Sequence, residues 1–425
     1  HNATDKAAVR AIVNDVVRTS THLFDFTNYL KSLGGLGRSK RGALADWYTT
    51  KDADSVAYQA VKYRQRNGVT HRDVFRLAHP KGVDPAVGGF ILGKDDATEV
   101  AFIEGFRRMQ KATSAKEVVA VLNEYKNLPW ETIPTQFLND TSVWKTLFAN
   151  GALGQTALLR NVTRLAKMDA FKDLVFAGDV AARLADSEAI AKGRVHPVAY
   201  ANALGVYTKG RVVDMDRRTG VEWKVNPKVA GALEDGFYAS FDSVEPANKA
   251  TMLAIDVSGS MTWQAPAGLV GLDCLEAAAA MAMVSVRTEP YVMVTAFSGG
   301  WAGRELTEVN ISDKDSLATA IQKVSRVRAG GTDCALPMVY AEKNKIGIDT
   351  FVVYTDNETW AGNIKPSQAL VKYRKSQGRD SRLVVVGMTA TKFTIADPKD
   401  SGMLDVVGMD SSAPAVLANF SAGRI

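Results

Sequence analysis

Hydrophobic and polar positions follow one period over the first 250 residues and another over the rest. In 5–18, Ala8, Val9, Ile12, Val13, Val16 and Val17 recur at helical spacing, and the pattern predicts a helix there. Further helices are predicted over 21–33, stopped by Gly34-Gly35, and over 55–66, stopped by Asn67-Gly68. A short helix opens at Thr70 and closes at Pro80, and Ser114-x-x-Glu117 reads as a capping box before Val118, Val119, Val121 and Leu122. Others are predicted over 141–149, 154–168, 197–207 and 227–241. The exception is 211–225, where alternation at Val221, Trp223 and Val225 after Arg217-Arg218-Thr219-Gly220 predicts a hairpin. From 251 onward short apolar runs alternate with helical patterns. Strands are predicted at 251–255, 291–297, 350–355 and 383–388, with helices at 272–287, 313–327, 336–345 and 366–376. That alternation predicts a mostly parallel, doubly wound α/β sheet. The expectation is two domains, an all-α helical-repeat-like one at 1–248 and an α/β one at 249–425.

Candidate chemistry gathers where the predicted strands end. Met252, Leu253, Ala254 and Ile255 run into Asp256-x-Ser258-x-Ser260, with Gly259 allowing a tight bend between the two hydroxyls. Capping of a following helix is the plain alternative for such a run. Two further loops add weight to a ligand site: the Gly-rich stretch 329–333 ending in Thr332 and Asp333, and the apolar strand 350–355 running into Asp356. Loops at the carboxyl ends of parallel strands form the ligand crevice of such sheets. Asp256, Ser258, Ser260, Thr332 and Asp356 offer only hard oxygens, the preference of magnesium. Two carboxylates and three hydroxyls leave the coordination shell to be finished by water or a partner's oxygen. The pattern resembles the metal-ion-dependent adhesion site of von Willebrand factor A domains.

Composition adds where the charge lies. The 425 residues have ordinary globular apolar and charged fractions, and no apolar run is long enough to span a membrane. Cys274 and Cys334 stand singly, without disulfide or zinc spacing, and a reducing, cytoplasmic location is expected. The net charge of +6 is one-sided: 35 basic against 28 acidic residues in 1–250, and 17 against 18 in 251–425. In 62–81, Lys62, Arg64, Arg66, Arg72, Arg76 and Lys81 face one acid, Asp73, with Tyr58, Tyr63 and Phe75 among them. Basic groups interleaved with aromatics suit phosphate neutralisation and base stacking, although Tyr63 and Phe75 equally fit a helix core. Arg160, Arg164 and Lys167 fall on one helical face, which like charges disfavour unless an anion is met there. His196 precedes Pro197, the expected first helical residue; His is a poor cap, so packing or bonding locally is the plain reading for it.

Longer stretches resemble the TROVE family, the Ro ribonucleoprotein autoantigens and their bacterial relatives. They include THLFDF (21–26), ALADWY (43–48), VKYRQRNGVTHRDVFRLAHP (61–80), LGQTALLRNVTRLAKM (153–168), RVHP (194–197), AIDVSGSM (254–261), AGGTDCALPM (329–338) and TDNETWAG (355–362). The resemblance implies a TROVE module, a ring of HEAT-like repeats, closed by a von Willebrand factor A domain. It implies binding of small Y RNAs, capture of the single-stranded 3′ ends of misfolded RNA, and in bacterial relatives the tethering of an exoribonuclease. By motif, the family's Y RNA contacts map onto the ALLRNVTRLAKM helix and onto His196, and the family's opening segment is expected to be missing here. No catalysis is expected, since a metal-dependent phosphoesterase needs a general base near the ion and only Glu358 is a candidate. A third possibility is an adhesion-like module that takes a protein carboxylate on the ion.

Overall fold

In the computed structural model the described residues are 3–94, 100–214, 219–298, 305–328, 330–356, 359, 362–389, 395–409 and 413–425. They form two compact units, His1–Gly154 and Gln155–Ile425. The first is helical: Ala3–Val16, Ser20–Ser32, Arg38–Thr49, Ala53–Lys62, His71–Ala78, Pro85–Leu92, Ala101–Lys111, Ala115–Glu124 and Thr141–Ala149. Leu23, Phe24, Leu44, Trp47, Tyr48, Val56 and Val74 make its core. His71 is buried in that core, its Nδ1 2.8 Å from Tyr48 Oη and its Nε2 2.9 Å from Ser20 Oγ. Burial pushes its pKa down to about 3.

Several local expectations are revised. The helix expected to reach Arg66 stops at Lys62, because Asn67 (φ 50°) and Gly68 (φ 75°) form the turn of a small hairpin pairing Gln65-Arg66 with Val69-Thr70. Asn-Gly is the pair that tolerates two left-handed residues in a tight hairpin, so the stop signal was a hairpin signal. Thr70 then caps the next helix reciprocally with Asp73. Ser114 accepts from the Glu117 N–H, but the Glu117 carboxylate reaches the Thr113 N–H (2.8 Å), one residue before the expected partner. The Arg38–Thr49 helix had no sequence reading; its exposed start, RSKRG, hides the apolar face of Ala43, Leu44, Trp47 and Tyr48.

The second unit opens with the helices Gln155–Lys167, Leu174–Leu184, Ser187–Gly193, Pro197–Thr208 and Pro227–Ala239, and with the hairpin expected at 211–225, seen as Arg211–Asp214 against Thr219–Glu222. A six-stranded sheet follows: β1 (Thr251–Asp256), β2 (Val292–Ser298), β3 (Glu305–Glu308), β4 (Thr350–Thr355), β5 (Arg382–Gly387) and β6 (Met403–Val407). The order is β6-β5-β4-β1-β2-β3, parallel throughout except for β3, which is antiparallel to β2. β1 and β4 lie side by side at the centre and are buried along their whole length, hence their unbroken apolar runs. Ile255 pairs with Tyr354, so Asp256 and the Thr355-Asp356 pair leave the sheet together at its carboxyl edge.

The Pro197–Thr208 helix packs directly on Cys274–Thr288, a helix of the sheet. Asn202 Oδ1 accepts from the N–H groups of Val270 (3.0 Å) and Gly271 (2.8 Å), and a Cβ on Gly205 or Gly271 would strike the opposing backbone. The change of hydrophobic pattern near 250 and the division by packing at 154 therefore fall in different places. Among the described residues no helix is long and apolar enough to cross a membrane. Cys274 and Cys334 are buried thiols, neither of them in a disulfide.

Candidate metal centre and nucleic-acid faces

Three loops meet at the carboxyl edge of the sheet. Asp256 is wholly buried, and Ser258, Thr332 and Asp356 are buried with it, while Ser260 is half-buried. Asp256 Oδ1 accepts from the Ser258 N–H (2.8 Å), and Oδ2 accepts from Thr355 Oγ1 (2.8 Å) and Thr332 Oγ1 (3.2 Å). Ser258 precedes the short 3-10 turn Gly259–Thr262, yet its side chain makes no capping bond. Its hydroxyl lies instead 3.2 Å from that of Ser260. The capping alternative thus accounts for the Asp256 turn and leaves the two serine hydroxyls unexplained.

Electrostatics favour an ion here. Burial raises the Asp256 pKa; bonds from Ser258 and Thr355 oppose this, and the nearby charge of Asp356 adds to it. Two carboxylates out of water repel each other, and a cation between them relieves both costs. Cys274 is pushed up to about 12, by burial first and then by Asp356, Asp273 and Asp256. The donor set therefore fits a hard divalent ion, with Asp256, Ser258, Ser260, Thr332 and Asp356 as the residues that would hold it. Among the described residues no cluster of three or more His, Cys, Asp and Glu could hold a metal, so hydroxyls must supply the remainder.

Two neighbours escaped the sequence reading. Thr355 holds Asp256 in place, but a Thr inside an apolar strand gives no signal of its own. Trp263 stands at the end of the 3-10 turn, 84% exposed, within reach of Gly259. Asp333 is buried but turned to the start of the next helix, where Oδ1 accepts from the Ala335 N–H (3.1 Å), and Gly362 (φ 101°) packs on its carboxylate. Ala329 and Glu358 lie outside the described residues.

The expected RNA residues divide between the units. In the second, Arg160 and Lys167 are exposed on the Gln155–Lys167 helix and Arg164 is half-buried; Lys167 Nζ lies 5.2 Å from the centre of the Trp223 ring. His196 bonds locally, as the cap of the Pro197–Thr208 helix: Nδ1 accepts from the Val198 N–H at 3.1 Å. That bond places the proton of the neutral ring on Nε2, which is buried and has no hydrogen-bond partner among the described residues. Burial pushes its pKa down to about 4, so at neutral pH it brings no charge to a phosphate.

In the first unit, Lys62 is half-buried over the Tyr58 and Tyr63 rings, with Nζ 3.1 Å from Tyr58 Oη. Arg64 stacks over Phe106 (5.3 Å), Arg66 over Tyr63 (5.9 Å), Arg72 donates to the Leu92 carbonyl, and Arg76 is exposed. Phe75 belongs to the core, so stacking on it is excluded.

A helical module followed by an A-type sheet, with a cluster of oxygen donors at the sheet's carboxyl edge, defines the class: a TROVE module with a von Willebrand factor A domain. Comparison with known proteins agrees. The TROVE domain model matches 5–91 and 93–208, and the Ro60 vWA domain model matches 250–421. The RNA-binding protein RO60 of Deinococcus radiodurans is 39% identical over 434 residues, covering 100% of this chain and 79% of that protein. The RNA-binding protein RO60 of Caenorhabditis elegans is 33% identical over 478 residues, covering 97% and 72%. The crystal structure of the Deinococcus radiodurans RO (RSR) protein superposes with a TM-score of 0.83 at 38% identity, covering 100% of this chain and 85% of that one. The chain belongs to the RO60 family.

Proposed function

We propose that this protein binds RNA, as the names of its relatives state for them, and that it does so without catalysis of its own. The RNAs are a small non-coding RNA of the Y type and misfolded RNA with a single-stranded 3′ end, in cytoplasmic RNA quality control or as the tether of an exoribonuclease. The TROVE module is assigned to 1–248 and the A domain, with magnesium at Asp256, Ser258, Ser260, Thr332 and Asp356, to 249–425.

The observation that carries this reading is the cationic face of the Gln155–Lys167 helix, where Arg160 and Lys167 stand in solvent with Arg164 between them. Arginine suits bidentate phosphate contact and stacking on unpaired bases. Lys62, Arg64, Arg66, Arg72 and Arg76 supply a second basic surface. His196 serves as a neutral donor or as a support for its helix.

Against hydrolysis, the second unit carries a single histidine, His196. His196 shares its cavity with Thr251 and Leu253, before the carboxyl end of β1. Magnesium-dependent cleavage of RNA by the purified chain, lost in Asp356→Ala, would overturn the non-catalytic reading. For RNA binding the test is crosslinking in the native cell followed by sequencing. Structured small RNAs should be enriched with the wild type and depleted with Arg160→Ala/Arg164→Ala; equal recovery would overturn the assignment.

A further inference from the structure

β3 is an edge of the six-stranded sheet: β2 lies on one side of it, and among the described residues no strand lies on the other. The Val309 N–H donates to the Val294 carbonyl (2.9 Å), and bonded pairs alternate along an antiparallel ladder. Thr307 therefore bonds inward to β2, while Leu306 and Glu308 turn their N–H and C=O groups outward. The open row stops at Asn310, whose carbonyl accepts from Lys323 Nζ (2.7 Å). Such a row is a template on which an extended chain can pair.

A groove of about 520 Å³ runs beside it, between β3 and the end of the helix Leu317–Ser325. Lys323, Arg326 and Arg328 line the groove with Thr307 and Val327, against one acid, Glu308. Lys323 is engaged by Asp315 (2.6 Å) as well as by Asn310. Arg326 and Arg328 are exposed, with neither an ion pair nor a side-chain hydrogen bond among the described residues. Side chains alternate along the strand, so Leu306 packs on the core with Leu336 and Met338 while Thr307 faces the cations.

These features select the occupant. A second copy of the chain is a poor one: antiparallel self-pairing through Leu306 and Glu308 centres on Thr307, which brings the two sets of cations face to face and sets Leu306 opposite Glu308. An acidic strand has neither fault. Every second residue falls on the Thr307 side, where a carboxylate meets Arg326 or Arg328, and the residues between lie over Leu306. Nucleic acid could meet the charges but has no peptide groups for the open row.

We propose that β3 takes up an extended acidic segment of a protein partner as a further strand, with alternate carboxylates on Arg326 and Arg328. The proposal does not rest on the RNA-binding reading.

The test uses the full chain and a fluorescein-labelled heptapeptide of alternating Glu and Val, with binding followed by anisotropy. Arg326→Gln/Arg328→Gln should weaken binding about tenfold, the loss of two ion pairs. The control Lys375→Gln/Lys399→Gln, also exposed near the sheet, should change it less than about twofold. Glu308→Pro removes an outward N–H and spares the bonds of Thr307 to β2, so it should abolish binding with the circular dichroism of the wild type. The same peptide N-methylated throughout keeps its charges, offers no backbone N–H, and should not bind. Absence of saturable binding to the wild type, or equal losses from the two charge pairs, would overturn the proposal. Binding of the N-methylated peptide as tight as that of the parent would reduce the groove to an anion patch, and displacement by oligouridylate, charge for charge, would assign it to nucleic acid. A wild-type dimer in sedimentation that Glu308→Pro dissolves would give the edge to a second copy instead.

Discussion

Asp256→Asn separates a metal ligand from a turn-forming cap by the sign of its effect. Without divalent ion, the wild-type carboxylate is buried beside Asp356 at a cost that its raised pKa reflects. The amide removes that charge. Its oxygen still accepts the Ser258 N–H, and the hydroxyls of Thr332 and Thr355 can turn to accept from its NH2. In EDTA the variant should therefore lie within about 1 kcal/mol of the wild type, since a lost neutral hydrogen bond costs about that much and the relieved charge offsets it. Magnesium reverses the ranking. At 100 times its dissociation constant an ion bound only to the folded state adds about 2.7 kcal/mol. In a unit of this size that is a rise of roughly 5–10 °C in the unfolding midpoint. The wild type should show the rise and the variant almost none. Thermal unfolding at pH 7, followed by circular dichroism in EDTA and across a magnesium titration, reads both effects. A wild type indifferent to magnesium, with a variant about 3 kcal/mol or more less stable in EDTA, would show that Asp256 is a structural residue.

Acid should loosen the first unit through His71. Its folded pKa of about 3 lies below the unfolded value near 6.5, so its contribution is complete above pH 6.5 and is lost as pH falls toward 3. By pH 5 the loss is roughly 2 kcal/mol, and urea unfolding should show that slope in the wild type and much less of it in His71→Gln. His196 acts over a narrower window, from about 6.5 down to about 4. His196→Ala should cost about 1 kcal/mol through the lost cap, and His196→Asn should restore it because Asn is a better cap; denaturant midpoints equal to wild type in both would mean that the Val198 bond carries no stability.

What the sequence made legible was what repeats or aligns. β1 and β4 were readable because both faces of a central parallel strand are buried, and Asp256 and Asp356 stood out because they follow those strands directly. β3 and β6 were not, since short edge strands with exposed residues lack the apolar run. Asn67-Gly68 was read as a helix stop because the hairpin it turns has only two residues on each side. Arg64 and Arg72 fall in one cluster of the sequence, but that Lys94 and Lys111 line the same cavity of the first unit emerges only through packing. Lys372, Arg374 and Lys375 look like interchangeable surface charges on one helix, yet Arg374 is half-buried and binds Asp400 (2.5 Å) and the Ser381 carbonyl (2.6 Å). Its removal would report stability rather than charge.

RNA held on the Gln155–Lys167 helix is the central claim, and the salt dependence of binding tests it most directly. Affinity for a structured RNA with a single-stranded 3′ end is measured across a salt series for the wild type, Arg160→Ala/Arg164→Ala, and Lys375→Ala/Lys399→Ala, two exposed charges near the sheet. The first pair should weaken binding and reduce the slope of log affinity against log salt by about 0.7 to 0.9 for each phosphate no longer neutralised, while the second leaves both nearly unchanged. Equal losses from the two pairs, or an unchanged slope in the first, would contradict the account and place the RNA elsewhere.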